Sequence, residues 1–175
     1  YRTTNSHNRR TKLRGSRQAQ RSNLFFCDKA RLNTARTIAL WTPEKTIGSH
    51  WIPVRLTNGE QKEAREKATC LYLNSTLGVT SAVACAAPNI LSRVNFSLDT
   101  IRNLPVPVLT DEQANTLAGV FDAHAEAELS TLADAAVDPV RIVLDEAVAE
   151  TLGVPPDTIA QARSELCREP SVQGR

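Results

Sequence analysis

Two prolines and a capping signal force residues 104 to 113 through a change of backbone state. In Leu104-Pro105-Val106-Pro107-Val108 each proline pushes its predecessor out of the helical region, so this piece must be extended. Thr110-Asp111-Glu112-Gln113 then fits a capping box, in which Thr110 accepts from the Gln113 amide and Gln113 reaches back. Asp111 and Glu112 also complement the positive end of the helix dipole. A helix is expected to run from 110 to about 134, with Leu117, Phe121, Ala125 and Leu132 along one broad face. Just upstream, Ser97 suits the N-cap of a short helix over 98 to 103.

Further signals lie on both sides. Three short apolar runs, 23 to 27, 37 to 41 and 51 to 55, read as strands, and Pro53 confines the third to an edge or a bulge. A small antiparallel sheet is the economical arrangement. Asn58-Gly59 marks a turn, after which 60 to 74 reads as a helix. Ala64, Ala68, Leu71 and Tyr72 fall on one face of it, with Lys62, Glu63, Arg65 and Glu66 opposite. Glu63 and Lys67 make a favourable i,i+4 pair. Asn74-Ser75-Thr76 and Gly78 interrupt the pattern; small side chains suit a close helix approach, or a backbone passing near a ligand, and packing is favoured. Residues 79 to 87 are apolar and small, and Pro88-Asn89 ends that run. Asp138-Pro139 starts another helix, which Gly153 is placed to end. Pro155-Pro156-Asp157 opens a last helix to about 167, and a tail is expected from Ser171.

The elements Leu73-Asn74-Ser75-Thr76-Leu77-Gly78, Leu104-Pro105-Val106-Pro107 and Leu109 to Gln113, in that order, resemble the end of a DNA target-recognition domain. Such domains occur in N6-adenine DNA methyltransferases and in specificity subunits of type I restriction systems. Ala30-Arg31-Leu32-Asn33-Thr34-Ala35-Arg36 and Gly48-Ser49-His50-Trp51-Ile52-Pro53-Val54 are similar to strand-entry phrases of the same recognition regions. The resemblance covers roughly 30 to 132. It implies a mixed α/β (α+β) fold, a small antiparallel sheet with helices followed by a C-terminal helical segment. Residues 1–22 would form a basic arm, 23–109 the recognition-like module, and 110–175 a helical spacer and tail.

The resemblance further implies sequence recognition on double-stranded DNA within a restriction–modification or phage-defence system. S-adenosylmethionine would be bound by a catalytic domain or subunit outside this chain, which would be the second partner. An N6-adenine methyltransferase needs an (N/D)-P-P-(Y/F) loop and a Gly-rich cofactor turn, and neither occurs here. The chain holds no Met and opens on Tyr1, so a fragment of a longer reading frame is expected, one that by itself neither binds the cofactor nor transfers a methyl group.

Charge agrees with a polyanion partner. The formal net charge of +2 hides a division along the chain. Residues 1 to 36 hold ten basic residues against Asp28 alone, a balance of +9, whereas 111 to 151 hold ten acids against Arg141 alone, a balance of −9. A polyanion is drawn to the first and repelled by the second. Phosphate contacts are assigned to Arg9, Arg10, Lys12, Arg14, Arg17 and Arg21 of the arm, and to Arg31, Arg36, Arg55 and Arg93 beyond it. The blander reading is a solvated arm, since 1 to 22 lack apolar periodicity. Glu126 with Glu128, and Asp145 with Glu146, read as solvated charges rather than paired catalytic acids. Cys27, Cys70, Cys85 and Cys167 are scattered and the three histidines isolated, so reduced cysteines packed as small hydrophobes are expected, with no metal site. No run approaches the roughly 18 apolar residues that span a bilayer, and a cytoplasmic protein without a membrane partner is expected. The rival reading is an α-helical protein–protein adaptor that works through the acidic helices and binds no DNA.

Overall fold

The computed structural model describes residues 21–56, 61–88 and 93–174. Much of the arm, including Arg9, Arg10, Lys12, Arg14 and Arg17, lies outside them, as does the turn at Asn58-Gly59. The fold is α+β: two small antiparallel sheets, with two helices between the fourth and fifth strands and the remaining helices after the last strand.

The first sheet has three strands, in the order Ala39–Thr46, Ser22–Cys27, Trp51–Val54. Strand β1 (Ser22–Cys27) is central and reads as an unbroken apolar run because both its faces are covered: Leu24, Phe25 and Phe26 are all buried. Strand β3 (Ala39–Thr46) flanks it on one side, starting two residues later and ending well beyond the apolar run 37 to 41. Strand β4 (Trp51–Val54) flanks it on the other side. Pro43 and Pro53 therefore both sit on edge strands, where a missing N–H is tolerated.

The second sheet has three strands, in the order Lys29–Arg31, Arg93–Asn95, Ala87–Pro88. Strand β2 (Lys29–Arg31) pairs with β6 (Arg93–Asn95), which also pairs with β5 (Ala87–Pro88). Short strands like these carry too few residues for a period to show in sequence. Phe26 of β1 meets Phe96, the residue after β6, edge to face at 5.0 Å, which joins the two sheets.

Helix α1 (Lys62–Asn74) is amphipathic only in its first half; from Ala68 to Asn74 every residue is buried. The Glu63–Lys67 pair forms at 2.8 Å. Glu66, expected on the solvent face, is instead buried and sits 3.6 Å from Lys62. Ser75 breaks the helix and caps α2 (Thr76–Cys85) by accepting from Gly78 N. Gly78 is a close-approach residue: a Cβ there would stand 2.0 Å from the Tyr72 carbonyl oxygen and 2.6 Å from Leu73 Cα. Ser97 caps α3 (Leu98–Arg102) as its sequence suggests.

The extended Pro-clamped piece and the capping box of α4 (Asp111–His124) both form. The helix then stops at His124, short of the expected 134. Ser130 N donates to Asp138 Oδ2, Leu132 N donates to Ala35 O, and a 3₁₀ helix (Leu132–Val137) follows. Leaving the α4 axis lets Leu129 and Leu132 enter the core, a gain a straight helix would forgo. Asp138 caps α5 (Pro139–Leu152), and Gly153, left-handed at φ 67°, ends it. Helix α6 (Pro156–Arg168) follows, and the expected tail holds a further short helix, α7 (Pro170–Gln173), that buries Val172. One hydrophobic core runs from Leu24 to Val172, with residues from both sides of position 110. Among the described residues, no helix is long and apolar enough to cross a membrane.

Candidate nucleic-acid interface

The small-residue break at 74 to 78 is a packing junction. The Asn74 side chain accepts from Ile38 N at 2.9 Å and Ala39 N at 3.2 Å, and donates to Ala39 O at 2.9 Å, so it holds the start of β3. The Asn74 carbonyl accepts from Arg141, whose guanidinium also donates to Arg36 O at 2.8 Å. Thr76 donates to Asp145 through both its backbone N–H and its hydroxyl, each at 2.7 Å. Arg163 reaches the same carboxylate at 2.6 Å. Asp145 is therefore no solvated charge, contrary to its reading beside Glu146; it is fully buried, while Glu146 is exposed. Arg141 is fully buried as well, and burial lowers its basicity while Asp138 and Asp145 oppose that shift. Apart from Arg141 Nε, which is buried without a hydrogen-bond partner among the described residues and lies 4.0 Å from Asp138 Oδ2, these groups are engaged by protein, so the junction has little left to offer a ligand.

The cations assigned to phosphate separate into two groups. Arg36 is held by Glu128 and by the Leu129 carbonyl at 3.1 Å. Arg55 donates to the Arg21 carbonyl at 3.3 Å. Most other basic residues of the described chain are also engaged: Arg65 by Asp111, Lys67 by Glu63 and Asp122, Arg102 by Asp99, Arg168 by Glu165. Arg31 and Arg93 stand apart. Among the described residues they carry no ion pair, and neither does Lys29; Arg21 and Lys45 share that state but lie elsewhere.

Strand pairing brings the first three together. Ladder β2–β6 sets Arg31 opposite Arg93 and Lys29 opposite Asn95, with Ala30 and Val94 between them. The alternation is clean: Lys29, Arg31, Arg93 and Asn95 are exposed, whereas Val94 is buried and Ala30 half-buried. These residues line a shallow depression of about 390 Å³. Two arginines directly opposite each other repel, which weakens a strand pair that has few others to support it. Among the described residues no acid is recruited to relieve that repulsion, so the face stays cationic.

Lys29 and Asn95 were not legible as site residues. Each stands on a three-residue strand, and only the long-range pairing of β2 with β6 makes them neighbours. The one sequence signal was the lysine and arginine two apart, which share a strand face.

The remaining chemistry is sparse. A cleft of about 140 Å³ beside Trp41, Phe121 and His124 is well below the roughly 300–1,000 Å³ of small-molecule sites. Among the described residues, no three His, Cys, Asp or Glu side chains are grouped to hold a metal ion. All four cysteines are free thiols; Cys27, Cys70 and Cys167 are buried, but Cys85 is exposed rather than packed. Burial pushes the Cys27 and Cys70 thiols up to about 12, out of the reactive range. No family model, curated protein or solved structure matches this chain.

Proposed function

We propose that this chain is the DNA-recognition module of an S-adenosylmethionine-dependent N6-adenine DNA methyltransferase of a restriction–modification or phage-defence system. The single observation that carries polyanion binding is the cationic face of β2 and β6, where Lys29, Arg31 and Arg93 stand together without ion pairs among the described residues. The choice of double-stranded DNA, and of adenine methylation as the parent activity, rests on the sequence resemblance. Cofactor binding and methyl transfer then belong to a catalytic domain or subunit with which this module assembles. Phosphate contacts set register, and base-edge contacts add specificity.

The test is the salt dependence of duplex binding. Each phosphate contact steepens the fall of log K with log salt by roughly 0.9. Lys29→Gln, Arg31→Gln and Arg93→Gln combined should flatten that slope. Lys45→Gln, an unpaired cation on the other sheet, should leave it unchanged. An identical slope in the triple variant and the native chain overturns the proposed face. Absence of duplex binding at low salt would instead leave the adaptor reading.

A further inference from the structure

We propose that Asn95 is a base-reading residue of this face, selecting adenine in the major groove of a DNA duplex; this rests on the duplex-binding reading above. The argument begins with what each group on the face can exchange. Lysine and arginine side chains only donate hydrogen bonds, and phosphate oxygens only accept them, so Lys29, Arg31 and Arg93 are fully matched by a nucleic-acid backbone. Asn95 alone among the four both donates and accepts. A phosphate satisfies its NH2 and leaves its carbonyl oxygen without a donor. The adenine edge offers N6–H2 and N7 side by side, which complements both halves of the amide.

Position supports the same assignment. Asn95 is exposed and has no side-chain hydrogen bond among the described residues, so its amide is available. It is also firmly held. Its neighbours Val94 and Phe96 are buried, Phe96 N donates to Asp28 O at 2.8 Å, and the Phe96 ring packs on Phe26. A contact residue between two anchored ones satisfies the need for a rigid support. Lys29 lies directly across the ladder, and Arg93 two residues along the same strand, about 7 Å away. Cations thus flank the amide along its own strand and across to β2. The N6 and N7 edge of adenine is displayed in the roughly 12 Å wide major groove of B-form DNA, whereas the deep, narrow major groove of A-form RNA hides it from side chains.

The experiment is affinity selection from a pool of DNA duplexes with a randomised centre, run with the native chain, Asn95→Ala and Asn95→Asp. The native chain is expected to enrich a site with adenine at a fixed position. Asn95→Ala should lose the preference at that position alone, by roughly 5- to 150-fold, with the other positions and the salt slope unchanged. Asn95→Asp, which cannot donate to N7, should lose it too. An unchanged preference in Asn95→Ala overturns the assignment, as does steeply salt-dependent binding by the native chain that enriches no sequence; in both cases the duplex-binding reading stands. Failure of the native chain to bind any duplex overturns both.

Discussion

Asn74 shows how much one residue can decide. Its amide holds the entry of β3, its carbonyl takes a buried arginine, and the next two residues start α2 against Asp145. In sequence it is a polar break in a helix, and the choice between packing and ligand contact turns on partners that lie 35 to 67 residues away. The buried charges at this junction, Asp138 and Asp145 with Arg141 and Arg163, balance in sign. Removing one partner from such a set leaves an uncompensated buried charge, a larger penalty than the pair itself is worth. Asp145→Ala should therefore lower unfolding stability by about 3–5 kcal/mol in denaturant titration. A loss under about 1 kcal/mol, typical of an exposed pair, would mean that water reaches Arg163 and that the junction is not dry.

Helix starts were readable and helix stops were less so. Caps at Ser97, Thr110 and Asp138 act on groups two or three residues away, so local sequence contains the whole interaction. The end of α4 at His124 is different, because it depends on Leu129 and Leu132 finding the core and on Leu132 N reaching Ala35. Two substitutions examine this helix from its two ends. Thr110→Ala should cost about 1 kcal/mol through the lost cap. Phe121 is half-buried and meets Trp41 edge to face at 5.9 Å. Phe121→Ala should cost less than the roughly 3–5 kcal/mol of a fully buried ring but more than the roughly 0.5–1.5 kcal/mol of an aromatic pair alone. Thermal unfolding of both variants checks this. A Phe121→Ala chain as stable as the native one would show that the ring contributes nothing within this chain and is free to serve another surface.

Across the whole molecule, the division of charge along the chain is partly spent internally. Arg36 of the basic segment takes Glu128 of the acidic one, Arg65 and Lys67 from between the two segments take Asp111 and Asp122, and Asp138 and Asp145 are buried beside Arg141 and Arg163. What remains unpaired on the second sheet is therefore a residue of that sorting, concentrated on one face. The buried thiols give a global signature of a different kind. Cys27 and Cys70 ionise near 9 when exposed and at about 12 when folded, because burial disfavours the thiolate. The folded chain then binds more protons than the unfolded chain over that window. Their contribution to stability is complete below pH 9 and is lost as pH rises towards 12. Unfolding free energy measured across that window should fall with pH, and less steeply for Cys27→Ala with Cys70→Ala. Equal slopes in the native and doubly substituted chains would show that water reaches these thiols in the folded state.

Sequence alone determined what depends on neighbours along the chain. The α+β class is legible in the order of strand and helix signals; the extended Leu104-Pro105-Val106-Pro107-Val108 piece, the capping box and the left-handed Gly153 follow from torsional limits and short-range hydrogen bonds, and the same limits restrict Pro53 to an edge or a bulge. Tertiary structure decided which charges are exposed. Arg141 and Asp145 look like surface residues of an acidic helix until distant elements close over them. Arg36 and Arg31 look alike in sequence, yet folding gives one an acidic partner and sets the other against Arg93. The physical reason is that burial and ion pairing are properties of contacts between segments far apart in the chain, whereas helix and turn signals act within a few residues.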